Sequence, residues 1–327
     1  MNELLLSFVV FALAPGFFQL IYWLVARFGF GKKMPAFREG IQSVFITSTI
    51  TVVMTLMICW IMSLTGFASA MFYRPSQRDY GQIKELGLSP EEVDFKSGDG
   101  TSLHGWFFPA KGATSKGTVI HLHGSDRNIT YTIVNSHWLM DRGFNLFVFD
   151  YRGYGKSSGK PDRAGLVQDV LAAIETMQSR DDVGENPIWL WGQSMGGQLA
   201  IVSAAKQGGD GLAGVISEAT YSNYSGHIGD KMANMGPLWL VHWGLWLTTS
   251  DDHSAIRSVD QLTDVPLLLI HGDADQAVAP YHSDRLFEKA GEPKEIWRVP
   301  GAGHLKVFQE LEYQDRLVQF LTKSTPH

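Results

Sequence analysis

The sequence has little that would support a disulfide-bonded, metal-binding or nucleic-acid-binding protein. Only one of its 327 residues, Cys59, is a cysteine, so no internal disulfide can form and no cysteine cluster is available for zinc or iron–sulfur. The formal net charge is −6, and a chain without an excess of basic residues lacks the field that attracts nucleic acid. We therefore expect no nucleic-acid partner.

Charge is missing altogether from two long stretches near the amino terminus. No residue from Leu4 to Ala26 is charged, and none from Gly40 to Tyr73. Each run exceeds the length of about 20 residues that a helix needs to cross the bilayer core. A cleaved signal peptide fits poorly, because the first three residues hold no basic side chain and the first run is too long. Residues 1–73 are predicted to form a membrane anchor with transmembrane helices at about 4–26 and 41–66.

The basic residues around these two runs predict how the chain crosses the membrane. The loop between the runs carries four of them, against three just beyond the second run: Arg27, Lys32, Lys33 and Arg38, then Arg74, Arg78 and Lys84. Basic loops stay in the cytoplasm, so both chain ends are expected on the outer face. The sequence predicts a two-pass protein of the bacterial inner membrane or its equivalent, with residues 74–327 on the non-cytoplasmic side.

Beyond the anchor, short apolar segments alternate with helical ones. Predicted strands are Val93–Lys96, Leu103–Phe108, Val119–Leu122, Leu146–Phe149, Ile188–Trp191, Gly214–Ser217, Pro266–Ile270 and Glu295–Val299. Predicted helices are Tyr131–Asp141, Gly165–Ser179, the segment from Gln198 to Ala205, Tyr281–Ala290 and Leu305–Leu321. This alternation predicts an α/β domain over residues 74–327, with a mostly parallel sheet covered by helices on both faces. Ligands bind such sheets at the carboxyl ends of the strands.

The most informative motif follows the fifth of these strands. Gly192-Gln193-Ser194-Met195-Gly196 lies between an apolar strand and a helical segment, which is the arrangement of a nucleophile elbow. A serine hydroxyl needs a fixed, exposed position and a neighbouring base to act as a nucleophile. Such a sharp turn supplies the position, and its glycines allow backbone to pass close by. We therefore predict Ser194 as the nucleophile.

An acid and a base follow two later strands in the order Ser–Asp–His. Asp275 follows the strand that ends at Ile270, and His304 follows the strand that ends at Val299. His304 would take the proton from the Ser194 hydroxyl, and Asp275 would fix the imidazole tautomer. Two other carboxylates compete for the role of the acid: Asp273, two residues nearer its strand, and Glu218, at the end of Gly214–Ser217.

An oxyanion that forms at this serine needs two hydrogen-bond donors. The backbone N–H of Met195, which follows the nucleophile, is the first. The second is expected from the loop after Val119–Leu122, with the backbone N–H of Ser125 as the donor. The pair His121 and His123 also suggests a metal site, but the further ligands that such motifs carry are missing, so we expect no metal.

Together these motifs resemble the α/β-hydrolase-fold serine hydrolases, in particular membrane-anchored, monoacylglycerol-lipase-like and serine-aminopeptidase-like members. The resemblance covers about Val93 to Leu321 and rests on His123-Gly124, Asp150-Tyr151-Arg152-Gly153-x-Gly155-x-Ser157, Gly192-x-Ser194-x-Gly196-Gly197, His271-Gly272-x-x-Asp275-x-x-Val278 and Gly301-x-Gly303-His304. Ser125 stands where relatives often have asparagine, and Ala279 where proline is usual. The resemblance implies hydrolysis of esters, thioesters or amides without a cofactor.

The sequence predicts the substrate less closely than it predicts the type of reaction. Residues 219–262 hold an insertion rich in large apolar side chains: Met232, Met235, Leu238, Trp239, Leu240, Trp243, Leu245, Trp246 and Leu247. A cap of this composition over the serine would hold an acyl chain or meet the bilayer, and the same segment could simply pack on the core. We expect a membrane-tethered esterase for lipid-like acyl esters. A peptidase or acyl-protein thioesterase, and a non-catalytic membrane scaffold, remain alternatives.

Overall fold

The computed structural model describes residues 37–64, 72–112, 114–233 and 249–323. The chain divides into two compact units. Residues 69–224 and 251–327 form the larger unit, and residues up to 68 together with 225–250 form the other. Residues 234–248 of the predicted cap lie outside the described residues, as does the predicted first transmembrane helix.

An eight-stranded sheet forms the centre of the larger unit. Its strands are β1 (Glu91–Lys96), β2 (Ser102–Phe108), β3 (Thr118–Leu122), β4 (Asn145–Asp150), β5 (Ile188–Gln193), β6 (Gly214–Glu218), β7 (Leu267–Gly272) and β8 (Lys294–Val299). Their order across the sheet is β8-β7-β6-β5-β3-β4-β2-β1. β2 pairs antiparallel with β1 and β4, and the other pairs are parallel. Each predicted strand is confirmed to within two residues at either end.

The longer helices are α1 (Phe37–Leu64), α2 (Arg163–Gln178), α3 (Met195–Gln207), α4 (Tyr224–Ala233), α5 (Tyr281–Lys289) and α6 (Leu311–Lys323). Single helical turns occur at Gln82–Glu85, Ile129–Thr132, Trp138–Asp141 and Ala255–Ser258, and 3₁₀ turns at Ile133–Asn135, Val259–Gln261 and Val307–Gln309. A two-residue parallel pair joins Arg74–Pro75 to Asp126–Arg127.

The burial of the strands explains why their sequences are so apolar. Every residue of the five strands β3 to β7 is buried, as expected for parallel strands that helices cover on both faces. The edge strand β1 instead alternates exposed and half-buried positions. The core contains two fully buried tryptophans of β5, Trp189 and Trp191. These layers hold the carboxyl ends of β5 to β8 in fixed register.

Two predicted helices differ from the structure. Tyr131–Asp141 was expected to be continuous, but it is interrupted at Ser136, whose φ of −128° leaves helical geometry and whose hydroxyl meets His121 Nδ1 at 3.0 Å. The helix predicted over Leu305–Leu321 begins only at Leu311. Leu305 has a φ of +55°, which a right-handed helix does not allow, and Glu310 is extended, with φ −96° and ψ 127°.

The predicted second transmembrane helix falls on α1, a helix of 28 residues. Several of its large apolar side chains are exposed, among them Phe45, Ile46, Ile50 and Val53. In the part of the chain that the structure describes, we find no helix whose length and hydropathy together suffice to span a bilayer.

Candidate active site

The predicted nucleophile sits in a strained turn between a strand and a helix. Ser194 has φ 54° and ψ −115°, a combination that a residue with a side chain seldom adopts, and it joins β5 directly to α3. Its N–H donates to the carbonyl of Glu218 at 2.8 Å, and its own carbonyl accepts from Thr220 Oγ1 at 2.9 Å. These bonds from the end of β6 hold the turn in place.

Two glycines allow this turn to form. A Cβ on Gly192 would overlap the carbonyl of Gly196, and a Cβ on Gly196 would overlap the carbonyl of Leu122 at the end of β3. The backbones of β3, β5 and the start of α3 therefore pass too closely for any side chain. The close approach of backbone atoms therefore requires glycine at both positions of the motif.

Asp275 and His304 lie in direct contact at the ends of two neighbouring strands. His304 Nδ1 donates to Asp275 Oδ2 at 2.7 Å. The other carboxylate oxygen of Asp275 accepts the backbone N–H groups of Ala277 and Val278, at 2.8 Å and 3.0 Å. Because a carboxylate only accepts hydrogen bonds, Nδ1 of His304 carries the proton and Nε2 keeps a lone pair.

A second histidine, His271, supports the same carboxylate. Its Nε2 lies 3.3 Å from Asp275 Oδ2 and 3.0 Å from the carbonyl of Val278. Burial of the Asp275 carboxyl works to raise its pKa, but hydrogen bonds from His271 and His304 outweigh burial and hold the pKa well below its usual range. Asp275 is therefore ionised at neutral pH. Sequence reasoning missed this role of His271, although it stands four residues before Asp275 at the end of β7.

The two competing acids have other partners. Asp273 Oδ1 accepts the backbone N–H of Gly301 at 2.6 Å. Glu218 is fully buried, and its Oε2 accepts from Gln193 Nε2 at 2.8 Å, which ties β6 to the residue before Ser194. Of the three carboxylates, Asp275 is thus the one that is hydrogen-bonded to His304.

Ser194 and the Asp275–His304 pair belong to the same edge of the sheet. They follow β5, β7 and β8, which with β6 run side by side and parallel. Among the described residues, Ser194 Oγ makes no hydrogen bond to His304 within 3.5 Å. Contacts of this kind are often long before substrate binds and shorten in the complex. The structure therefore forms the His–Asp contact of a triad and leaves the Ser–His contact open.

The loop after β3 passes directly beside the serine. A Cβ built on Gly124 would lie 3.6 Å from Ser194 Cβ. His123 Nδ1 donates to the carbonyl of Gly124 at 2.7 Å. The C=O and N–H of a trans peptide point in opposite directions, so this bond turns the N–H of Ser125 away from His123. The carbonyl of Ser125 accepts from Tyr154 Oη at 2.9 Å, which fixes the other side of the residue.

The other predicted oxyanion donor, Met195, is the first residue of α3. Met195 begins the helix, where backbone N–H groups have no acceptor inside the helix and the helix dipole favours negative charge. Met195 and Ser125 thus directly follow Ser194 and Gly124, which lie beside each other. Their donor roles stay predictions.

The two histidines of β3 and its following loop are both buried. Burial lowers the pKa of His121 to about 3 and that of His123 to about 4, so both are neutral. Their Nδ1 atoms contact Ser136 and the carbonyl of Gly124. No group of three metal-ligating side chains occurs within the described ranges.

The strand order, the nucleophile elbow and the His–Asp pair together are typical of an α/β-hydrolase. The model of the prolyl oligopeptidase family matches residues 130–325, more than half of the chain. The chain therefore belongs to the prolyl oligopeptidase family.

Individual proteins give the same picture. The uncharacterized protein YfhR of Escherichia coli (strain K12) is 33% identical over 256 residues, which are 76% of this chain and 86% of YfhR. The alpha/beta hydrolase domain-containing protein WAV2 of Arabidopsis thaliana is 26% identical over 212 residues, 63% of this chain and 68% of WAV2. An esterase of Pyrococcus furiosus superposes with a TM-score of 0.62 at 23% identity, covering 77% of this chain and 98% of the esterase. At that identity the esterase shows the fold alone.

Glu218 yields a test of the electrostatics beneath the site. Burial raises the pKa of Glu218 to about 7, and its Oε1 has no partner among the described residues. The pKa of an unfolded glutamate is about 4.3, so the folded state keeps a proton that the unfolded state releases. The stability from Glu218 is therefore fully present below about pH 4.3 and is lost as the pH rises through about 7.

We expect Glu218→Gln to become more stable relative to wild type as the pH rises from 5 to 8, by roughly 1–3 kcal/mol in the free energy of unfolding. Urea unfolding at several pH values measures the difference. Glu92→Gln serves as the control. A hydrogen bond from Lys156 lowers the pKa of this exposed carboxyl, so its contribution to the free energy of unfolding is nearly constant above pH 5. A pH-independent difference for Glu218→Gln would contradict the assignment.

Proposed function

We propose that the protein is a serine hydrolase that cleaves carboxylic esters of lipid-like acyl groups through an acyl-enzyme. The observation that carries the proposal is the 2.7 Å bond from His304 Nδ1 to Asp275 Oδ2, because it leaves Nε2 as a base at the sheet edge where Ser194 turns. The membership of the prolyl oligopeptidase family and the likeness to an esterase support a hydrolytic reaction.

In the first half of the reaction, Ser194 Oγ attacks the ester carbonyl carbon while His304 Nε2 accepts the hydroxyl proton. Ionised Asp275 stabilises the imidazolium that results. The carbonyl oxygen becomes an oxyanion that receives hydrogen bonds from the backbone N–H groups of Met195 and Ser125. The oxyanion then re-forms the carbonyl and the alcohol leaves with the proton of His304, which yields the acyl-enzyme.

In the second half, His304 Nε2 takes a proton from a water molecule, whose oxygen attacks the acyl carbon. The tetrahedral intermediate uses the same two backbone donors. Its collapse returns the proton to Ser194 Oγ and releases the carboxylic acid. No cofactor and no metal is required for any of these steps.

A peptidase or acyl-protein thioesterase would use the same groups. The family match favours a peptidase as the second candidate, since the family is named for oligopeptide cleavage. A substrate series that compares esters of increasing acyl length with matched amides and thioesters separates the candidates. We expect ester turnover to exceed amide turnover and to rise with acyl length; preferred cleavage of the amides would establish the peptidase.

We also infer that the amino-terminal residues tether the enzyme to a membrane. Residues 74–327, which we call the hydrolase unit, would then lie on the non-cytoplasmic side. The two charge-free runs support this proposal, as do the exposed apolar side chains Phe45, Ile46 and Ile50 on α1. Exposed apolar surface of this kind is costly in water and is stabilised in lipid.

Ser194 and His304 can be tested with a fluorophosphonate probe, which reacts with an activated serine. Labelling of the wild type should be lost in Ser194→Ala, and Ser194→Ala and His304→Ala should each lower kcat for ester hydrolysis by about 10³ or more. Ser203→Ala is the control, because Ser203 is a buried serine of α3, the helix that begins directly after Ser194. Near-normal turnover in either variant would refute the assignment, and a folded wild type that stays unlabelled would point to a non-catalytic scaffold.

Membrane attachment can be tested on membranes from cells that express the full chain. We expect the protein to stay in the pellet after extraction with alkaline carbonate, because apolar helices resist extraction that releases peripheral proteins. In sealed vesicles, protease should digest the hydrolase unit only when added to the non-cytoplasmic face. Release into the supernatant would overturn the tether, and digestion from the cytoplasmic face alone would overturn the orientation.

A further inference from the structure

The segment that follows the predicted anchor is hydrogen-bonded to the loop beside Ser194. The pair Arg74–Pro75 runs parallel to Asp126–Arg127, immediately after Ser125. The N–H of Arg74 donates to the carbonyl of Ser125 at 2.8 Å. We call residues 74–80 the linker. The linker thus forms a hydrogen bond with Ser125, the residue whose N–H is an expected oxyanion donor.

A buried amide attaches the linker at a second place. Asn128, which is 1% exposed, donates through Nδ2 to the carbonyls of Ser76 and Arg78 at 2.8 Å and 2.9 Å. The N–H of Tyr80 donates to Thr130 Oγ1 at 3.0 Å. The linker therefore follows residues 125–130 along their whole length.

Aromatic and cationic side chains reinforce this attachment. The guanidinium of Arg127 lies 3.6 Å from the ring centroid of Tyr131 and 5.7 Å from that of Tyr80 in the linker. The two rings pack edge to face at 5.5 Å. Arg127 itself has a φ of +67°, which costs energy for a non-glycine residue and needs such support to persist.

The carbonyl of Ser125 has two donors, and they come from different parts of the chain. Arg74 N–H approaches from the linker, and Tyr154 Oη from the segment after β4. The preceding carbonyl, that of Gly124, accepts from His123 Nδ1. Both peptide groups that meet at Ser125, the first of which contains its N–H, are therefore held by hydrogen bonds. Only the bond from Arg74 comes from outside the sheet and its connecting loops.

We propose that the linker is a positioning element of the oxyanion hole. The Arg74 N–H···O=C Ser125 bond holds the peptide group after Ser125 and so, together with the bond from His123 to the Gly124 carbonyl, keeps the Ser125 N–H in its direction. This inference rests on the proposed serine-hydrolase function and extends it. It makes the segment that follows the predicted anchor in the sequence a part of the active-site structure. Arg74 acts through Ser125 and does not touch the reacting atoms.

A pair of substitutions at one position isolates the backbone bond. In the full chain, Arg74→Pro removes the N–H, whereas Arg74→Ala keeps the N–H and removes only an exposed side chain that has no part in the positioning. Loss of one oxyanion donor costs about 10²–10³ in kcat, and a misdirected donor should cost roughly 10-fold or more. We expect Arg74→Pro to lower kcat for ester hydrolysis to that extent with KM within about 2-fold, because the donor acts on the transition state. Arg74→Ala should match wild type.

Asn128→Ser provides the second variant if Arg74→Pro fails to fold. Serine keeps the helix-capping oxygen of Asn128 but removes both Nδ2 bonds to the linker. It should lower kcat and the rate of fluorophosphonate labelling in parallel. Titration with the probe gives the fraction of active sites, so kcat is expressed per folded molecule.

The outcomes separate this proposal from the one on which it rests. If wild type neither hydrolyses esters nor reacts with the probe, the serine-hydrolase function itself fails. If wild type is active, two results would overturn the positioning role. One is an unchanged kcat in the folded variants, and the other is an equal loss of kcat in Arg74→Pro and Arg74→Ala. A lower melting temperature with unchanged kcat per active site would likewise make the linker merely structural and overturn it.

Discussion

One hydrogen bond, from His304 Nδ1 to Asp275 Oδ2, decides which nitrogen of the imidazole can act as a base. The carboxylate stays ionised because His271 and His304 donate to it from inside a buried site. An ionised carboxylate holds the proton on Nδ1, so Nε2 is the basic atom. The sheet brings the carboxyl ends of β5, β7 and β8 to one edge. Ser194 and His304 follow these strands, so the strained serine and the base lie at the same edge of the sheet.

The serine and its surroundings are fixed mainly through backbone atoms. Ser194 keeps its positive φ because Glu218 and Thr220 hold its amide and carbonyl. The loop that carries Gly124 and Ser125 is held in the same way, by a histidine, a tyrosine and the linker. Backbone donors that are fixed before substrate arrives need no reorganisation during the reaction, which is what makes them effective at stabilising an oxyanion.

The sequence predicted the parts of the molecule that depend on local patterns. Buried parallel strands are continuous apolar runs, so all eight were located, and the glycines of the elbow follow from steric contact. The sequence favoured Asp275 as the acid but kept Asp273 and Glu218 as competitors, because the pairing with His304 depends on loop geometry. Asp275 accepts the Ala277 and Val278 N–H groups in a turn that directs its second oxygen at His304. The bond between Arg74 and Ser125 joins residues far apart in sequence through main-chain atoms, so no side-chain pattern could indicate it.

The most direct test is a crystal structure of the full chain after reaction with a fluorophosphonate, whose phosphoryl oxygen occupies the position of the oxyanion. The account predicts phosphorus bonded to Ser194 Oγ and the phosphoryl oxygen at about 2.7–3.1 Å from the backbone nitrogens of both Met195 and Ser125. His304 Nε2 should face the modified serine while Nδ1 keeps its bond to Asp275. Phosphorus on another residue, or a phosphoryl oxygen directed away from both nitrogens, would contradict the account.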